Sequence, residues 1–285
     1  MTGIGPANGN SLDSNGIWIV DGSVVEVGAG GDANFWGSAG PGDLGNYGIF
    51  MSDSSLRVDG WLRMVGVGGA AINLTGRDPG ASPPGSSKGL AIQGSTIKTG
   101  LMRLFGSSGD TLDGDENLGV QIDRSTLSAD SADEQQDPSF IVGSGSRGVD
   151  SNLGVYIGDS AITSSWDLDV SGYGWYSFGN DNDGVRILGS TSISLLQQAP
   201  LGAAARSPIG TLDIEGISGY GLDDNVGVFI GGSSSLIARN VLVDGVSRGS
   251  GEGNIGASIS GAELTAVNLN VQGQAGFGDQ QVGVQ

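Results

Sequence analysis

The 285-residue sequence contains no cysteine and no histidine. The first absence excludes disulfide staples and thiol chemistry, and it leaves the redox compartment open. The second removes imidazole acid–base catalysis, Ser-His-Asp hydrolysis and His-ligated zinc. Basic residues are scarce: 12 Lys and Arg stand against 31 Asp and Glu, for a net charge of −19. Phosphate binding needs a basic face, so no nucleic-acid partner is expected. No apolar run approaches the ~20 residues of a membrane span. The opening residues Met1 to Pro6 carry neither a basic region nor an apolar signal core, so any export address is expected elsewhere, on a larger parent chain.

What the chain has in excess is glycine, at 55 residues, with no Gly-X-Y period and with 37% hydrophobic residues in clear alternation. That balance excludes collagen and simple disorder and fits short strands joined by many turns. The alternation is organised by one recurring phrase. Asn152-Leu153-Gly154-Val155-Tyr156-Ile157 returns as Asn46 to Met51, Asn117 to Ile122, Asn225 to Ile230 and Asn254 to Ile259. Shorter copies sit at Asn15 to Ile19, Gly89 to Ile92 and Asp183 to Ile187, and a last one at Val282 to Gln285. The phrase glycines are Gly16, Gly48, Gly89, Gly119, Gly154, Gly184, Gly227, Gly256 and Gly283, about 33 residues apart on average.

Each interval holds three segments. The phrase comes first, then Ser-x-Leu/Ile (Ser54 to Leu56, Ser95 to Ile97, Ser125 to Leu127, Ser160 to Ile162), then a longer alternating run such as Thr211 to Gly216 or Val267 to Gly273. Period-two alternation predicts strands with one buried and one wet face. An antiparallel sandwich would explain the alternation, but not one phrase recurring in one order. The expected fold is therefore all-β: a parallel β-helix, or β-solenoid, of about eight coils of roughly 33 residues with three strands per coil. Long, irregular coils, unlike tight hexapeptide solenoids, favour the right-handed form. Gly is expected to supply φ > 0 at the corner, and stacked Asn side chains to form a hydrogen-bonded ladder. One domain, 1–285, is expected, with loop excursions near 71–88 and 196–208, where prolines interrupt the pattern.

Candidate chemistry is sparse. Asp110, Asp113, Asp115 and Glu116 cluster in one Gly-rich turn, a set of oxygens that would suit calcium, although neither an EF-hand loop nor a Gly-Gly-x-Gly-x-Asp repeat is present. Apart from calcium, no cofactor is expected. Asp167 with Asp169, and Asp213 with Glu215, are carboxylate pairs of the kind a glycosidase uses, yet they alternate with core residues as a solvated face does. No catalytic set emerges. Tyr173, Trp175 and Tyr176 are the candidate sugar-stacking platform. Along the third segment the outward charges change from Arg63 and Arg103 to Asp167, Asp169, Asp213, Glu215 and Asp244, a gradient that would favour staggered lateral packing.

The Asn-x-Gly-Val-x-Ile, Ser-x-Ile and Leu-x-Val-x-Gly segments together resemble repeats of very large secreted bacterial β-helix surface proteins, of the filamentous-haemagglutinin-like and autotransporter-adhesin-like type, including cyanobacterial examples. The resemblance implies an extracellular or cell-surface structural or adhesive rod. Such a rod could be a stalk, or a homo-oligomer that stacks end to end into a filament, and it could present a glycan-binding surface. A polysaccharide-binding or polysaccharide-cleaving β-helix enzyme is the rival expectation. A trimeric phage fibre is a third, for which the chain has no coiled-coil registration segment.

Overall fold

The computed structural model describes residues 1–4, 14–42, 45–70, 86–111, 116–130, 137–148, 150–175, 179–196 and 208–285. Every described element is a β-strand, and every pairing between strands is parallel. The strands form two sheets, of nine and fifteen strands. The nine-stranded sheet is the recurring phrase itself: Ser14–Ile19, Asn46–Ser52, Ser87–Gln93, Leu118–Asp123, Leu153–Gly158, Val185–Leu188, Val226–Gly231, Ile255–Ser260 and Val282–Val284 pair in that order. We call it the anchor stack.

The fifteen-stranded sheet has two limbs. One, the serine stack, runs Val24–Val27, Ser55–Val67, Thr96–Ser107, Thr126–Ala129, Ala161–Ser164, Ser192–Leu195, Ser235–Ile237 and Glu263–Thr265. The other, the third stack, runs Thr2–Ile4, Ala33–Ser38, the C-terminal parts of Ser55–Val67 and Thr96–Ser107, then Ser139–Ser144, Leu168–Tyr173, Thr211–Ile217, Asn240–Val246 and Asn268–Gln274. The limbs join because the second and third segments are continuous in Ser55–Val67 and Thr96–Ser107. The chain thus curls past three faces in turn, a β-solenoid-like arrangement.

Register follows from the alternation. Inward positions align into columns such as Ile49–Leu90–Val120–Val155–Val185–Val228 and Ile97–Leu127–Ile162–Ile193–Leu236, all fully buried. Each such side chain contributes roughly 1.5–3 kcal/mol by leaving water, and a one-residue slip would turn a whole column outward.

The corners carry ladders of polar side chains. Asn117 Nδ2 donates to Asn152 Oδ1 (2.7 Å), Asn152 to Asn182 (2.8 Å), Asn182 to Asn225 (3.1 Å) and Asn225 to Asn254 (2.8 Å), with all five residues fully buried. Each of Asn182, Asn225 and Asn254 also accepts at Oδ1 from the backbone N–H of the Asn one rung earlier. A serine ladder runs along the next corner. Ser54, Ser95 and Ser125 N–H groups donate to Ser95, Ser125 and Ser160 Oγ at 3.1–3.2 Å, while each Oγ donates to the carbonyl two residues back.

The phrase glycines act differently from the expectation. None has a positive φ. A Cβ on Gly154 would stand 2.2 Å from the Tyr173 nitrogen and 2.6 Å from the Gly172 carbonyl carbon, and one on Gly143 would stand 1.9 Å from the Gly154 carbonyl oxygen. Two glycine columns therefore press backbone on backbone where the third stack meets the anchor stack. The left-handed positions lie beside the strands instead. One column follows the anchor strand (Asp53, Gly94, Arg124, Asp159, Gly189, Gly232, Gly261), and the other precedes the Asn ladder (Glu116, Ser151, Asp181, Asp224, Gly253).

Of the two excursions, 71–85 and 197–207 lie outside the described residues. Ser87 and Lys88 belong to an anchor strand, and Leu196 and Pro208 form an antiparallel bridge.

Candidate functional site

The last outward position of the third stack brings Ser107, Ser144, Tyr173, Ile217 and Val246 into one row. Just beyond it the chain turns, and Gly174 and Trp175 stand at the corner. Tyr173 is the final residue of strand Leu168–Tyr173 rather than part of a turn, so its ring is fixed by strand register. Trp175 is 54% exposed and donates from Nε1 to Ser144 Oγ at 2.7 Å. On one side of the indole, Tyr173, Ile217, Tyr220 and Arg248 line a cavity of about 240 Å³. Arg248 lies 5.4 Å over the Tyr220 ring, a cation–π contact. On the other side, Ser108, Asp110, Ser146 and Arg147 line a polar cavity of about 360 Å³. Burial, assisted by Glu215, pushes the Tyr173 hydroxyl above its ordinary pKa, so it is a neutral donor and acceptor. The result is a corner groove of two adjoining cavities that share Ser144 and Trp175, one with aromatic walls and Arg248, the other with hydroxyls, Asp110 and Arg147.

The sequence pointed to Tyr173 and Trp175, and the structure places both on this groove. Tyr176 lies outside the described residues. Tyr220 and Arg248 were not anticipated. They join because the register stacks residues about 30–45 positions apart, and neither sits in a motif.

The proposed calcium turn is divided. Asp113 and Asp115 lie outside the described residues. Asp110 lines the corner groove and accepts from the Arg147 N–H at 3.3 Å. Glu116 lines a different cavity, on the anchor face. Among the described residues no group of three or more acids is placed to hold a metal ion. Several acids in these turns serve the backbone instead. Asp150 accepts from Asn180 N–H (2.6 Å), Asn180 Oδ1 from Asp223 N–H (3.1 Å), and Asp223 from Glu252 N–H (2.7 Å).

The anchor-face cavity, about 300 Å³, is lined by Lys88, Glu116, Gln121, Asp123, Tyr156 and Arg186. Lys88 donates to Gln121 Oε1 at 2.9 Å and lies 5.8 Å over Tyr47. Burial lowers its pKa, against the opposing pull of Glu116 and Asp123. Tyr47 and Trp18 pack on Phe50 in an aromatic group, with Trp18 half exposed. Below Arg186 lies Asp183, fully buried, bonded to the Arg186 guanidinium and accepting from Val226 N–H at 3.0 Å. These residues fill the variable positions of the phrase, so the signal that groups them is register.

The carboxylate pairs also resolve. Asp169 and Asp213 are neighbours on adjacent strands. Burial pushes both above the ordinary carboxylate value. Asp213 and Asp167 add to the shift at Asp169, and Asp244 adds to that at Asp213. Asp167 accepts from Thr211 N–H at 2.6 Å and so caps the next strand.

Among the described residues no helix is long and apolar enough to cross a membrane. No protein-family model matches the chain, and no curated protein or solved structure does either.

Proposed function

We propose that the chain is an extracellular adhesive rod, a right-handed parallel β-helix of about eight coils of roughly 33 residues with three strands each, that binds glycans at the corner groove around Trp175. The observation that carries this reading is the half-exposed Trp175 indole, held by Ser144 beside Tyr173, Tyr220 and Arg248. A half-exposed aromatic face suits the C–H face of a hexose. The serines, Asp110 and Arg147 offer bonds to ring hydroxyls. Pockets that pair apolar walls with a few placed polar groups are the usual form of small-ligand sites. A rigid laddered scaffold keeps the groove in shape without a ligand.

A glycan array tests the reading, followed by titration of the retained sugar against the parent protein and Trp175→Ala. Binding by the parent and a loss of at least about tenfold in the variant is the expected result. An array with no retained glycan, or equal binding by Trp175→Ala, overturns it.

End-to-end growth belongs to the same proposal. Strands Asn268–Gln274 and Val282–Val284 pair on one side only, with Leu269 54% and Val284 49% exposed. A further strand, from this chain or another, would add to that edge. Electron microscopy of concentrated protein, with and without calcium, reads out filaments directly. A uniformly short particle sinks this part of the proposal.

A further inference from the structure

The outward face of the third stack has a charge order that its own reversal would satisfy. One row of register partners reads Asn34, Arg63, Arg103, Phe140, Asp169, Asp213, Leu242. The row continues to Asn270, and Phe140 is the centre of its charged stretch. Arg103 and Asp169 are its immediate neighbours, and Arg63 and Asp213 come next on either side.

We propose that this face binds a second copy of the chain, antiparallel and face to face, about a two-fold axis that runs along the strand at Phe140. Such an axis reverses the order of strands within each row and keeps each row opposite itself. Arg103 then faces Asp169 of the second copy, and Arg63 faces its Asp213. Phe140 meets Phe140. The symmetry makes each of these contacts twice, as an isologous interface requires.

The adjoining outward row carries no matching charge pair: the same axis sets Val65 opposite Glu215 and Trp36 opposite Asp244. Glu215 lies two residues along the strand from Asp213, so it sits diagonal to the same Arg63. In the row at the far edge, Ser144 is the midpoint, and Val67 comes opposite Ile217. Val67 is 36% exposed, an apolar side chain left at the surface. Arg63 is exposed, with its guanidinium 5.8 Å from the Phe105 ring. Arg103 is bonded to Asp137, itself 73% exposed, and its side chain remains 32% exposed. Asp169 and Asp213 crowd each other in the isolated chain, and a facing arginine relieves that crowding.

Size is adequate. Seven strands at about 4.8 Å and six residues at about 3.3 Å give a patch near 29 by 20 Å. Doubled over two partners, this is on the order of 1,100 Å², above the roughly 1,000 Å² that a specific interface needs. Opposed β-sheets pack about 10 Å apart, a gap that arginine and aspartate side chains span together. Net charge alone would separate two chains of −19; the ordered row allows one arrangement to pair.

Charge reversal tests the geometry. The parent chain is followed by sedimentation velocity across a concentration series, in buffers free of glycans because Ser144, Tyr173 and Ile217 belong both to the paired face and to the corner groove. A monomer–dimer equilibrium is expected. Arg63→Asp with Arg103→Asp, and separately Asp169→Arg with Asp213→Arg, each weaken it at least about tenfold. Mixing the two double variants restores dimers as heterodimers, because every reversed residue then faces an opposite charge. A spin label at Phe140→Cys, in a chain with no other cysteine, reports a short label-to-label distance in the dimer. A parent that stays monomeric throughout overturns the proposal. So does a dimer insensitive to reversal, a pair of variants that fail to recombine, or a long label distance such as end-to-end contact would produce.

Discussion

Asn152 donates from its side-chain amide to Oδ1 of Asn182 at 2.8 Å, and its backbone N–H donates to the same oxygen at 3.1 Å, with both residues sealed from solvent. That one oxygen thus satisfies two donors from the rung before. Asn182 in turn donates to Asn225 and to the Gly179 carbonyl. Asn182→Ala would strip both of these Asn152 donors of their shared acceptor. Each orphaned buried group costs about 1–3 kcal/mol, so a loss of roughly 2–5 kcal/mol in unfolding free energy is expected from urea titration. Asn268→Ala serves as control. Its amide bonds Asn240 at 2.8 Å in an exposed setting, where water takes over and the loss stays below about 1 kcal/mol.

The ladder was legible in the sequence, but not completely. The spaced Asn-x-Gly phrase identified Asn117, Asn152, Asn225 and Asn254. It missed Asn182 because the phrase was aligned there on Asp183. The stacking order, the alternation and the three segments per interval were readable because each leaves a periodic mark. The corner groove was legible only in Tyr173 and Trp175, and the anchor-face cavity was not, because both gather residues from the variable positions of several intervals. Lys88, Gln121, Tyr156 and Arg186 are neighbours only once the phrases are placed in register. The role of the phrase glycines was also hidden. A sequence cannot distinguish a glycine that needs positive φ from one that needs no Cβ, and here the second need governs.

That distinction has a direct consequence. Gly154→Ala places a methyl group 2.2 Å from backbone nitrogen, where no side-chain rotation can relieve it. Gly22 has φ +74° and nothing within 4 Å of a Cβ, so Gly22→Ala meets only conformational strain, on the order of 1 kcal/mol. Gly154→Ala should cost more than about 3 kcal/mol or prevent folding altogether. Paired thermal melts by circular dichroism rank the two. Equal melting temperatures would restore the conformational explanation for the phrase.

The acidic face should respond to pH in a defined direction. Burial, with Asp213 and Asp167 adding to it, raises the Asp169 carboxyl above its ordinary pKa. A carboxyl raised in the folded state favours folding at low pH, and that contribution is lost as pH rises through the folded value. Asp169→Asn removes the penalty, so the variant should melt higher than the parent at neutral pH. The difference should vanish at acidic pH, where the parent carboxyl is itself protonated. The site is partly exposed, and solvent screening keeps the gain under about 1 kcal/mol. Melts at concentrations low enough to keep the protein monomeric read this out. A variant less stable than the parent at neutral pH would count against crowding on this face.

Asp183 is a second carboxyl held above its ordinary pKa, here beside a cation. It is fully buried, and burial pushes its pKa up while Arg186 pulls it down. Burial also works to lower the Arg186 pKa, but Asp183 and Asp181 outweigh it and hold the guanidinium ionised. Removing the arginine leaves a buried carboxylate with only the Val226 N–H and its surroundings to support it. Arg186→Met, similar in length and apolar, should therefore cost about 3–5 kcal/mol at neutral pH, as breaking one side of a buried pair does. Asp183 would then bind a proton more readily in the folded state than in the unfolded one. By linkage the deficit should shrink as pH falls toward the raised carboxyl value. Asp183→Asn in the Arg186→Met background removes the buried charge, so its stability should exceed that of the single variant at neutral pH and match it in acid. Urea titrations of the three proteins across the pH range decide the matter, and a deficit that does not change with pH would mean that Arg186 supports the fold through packing alone.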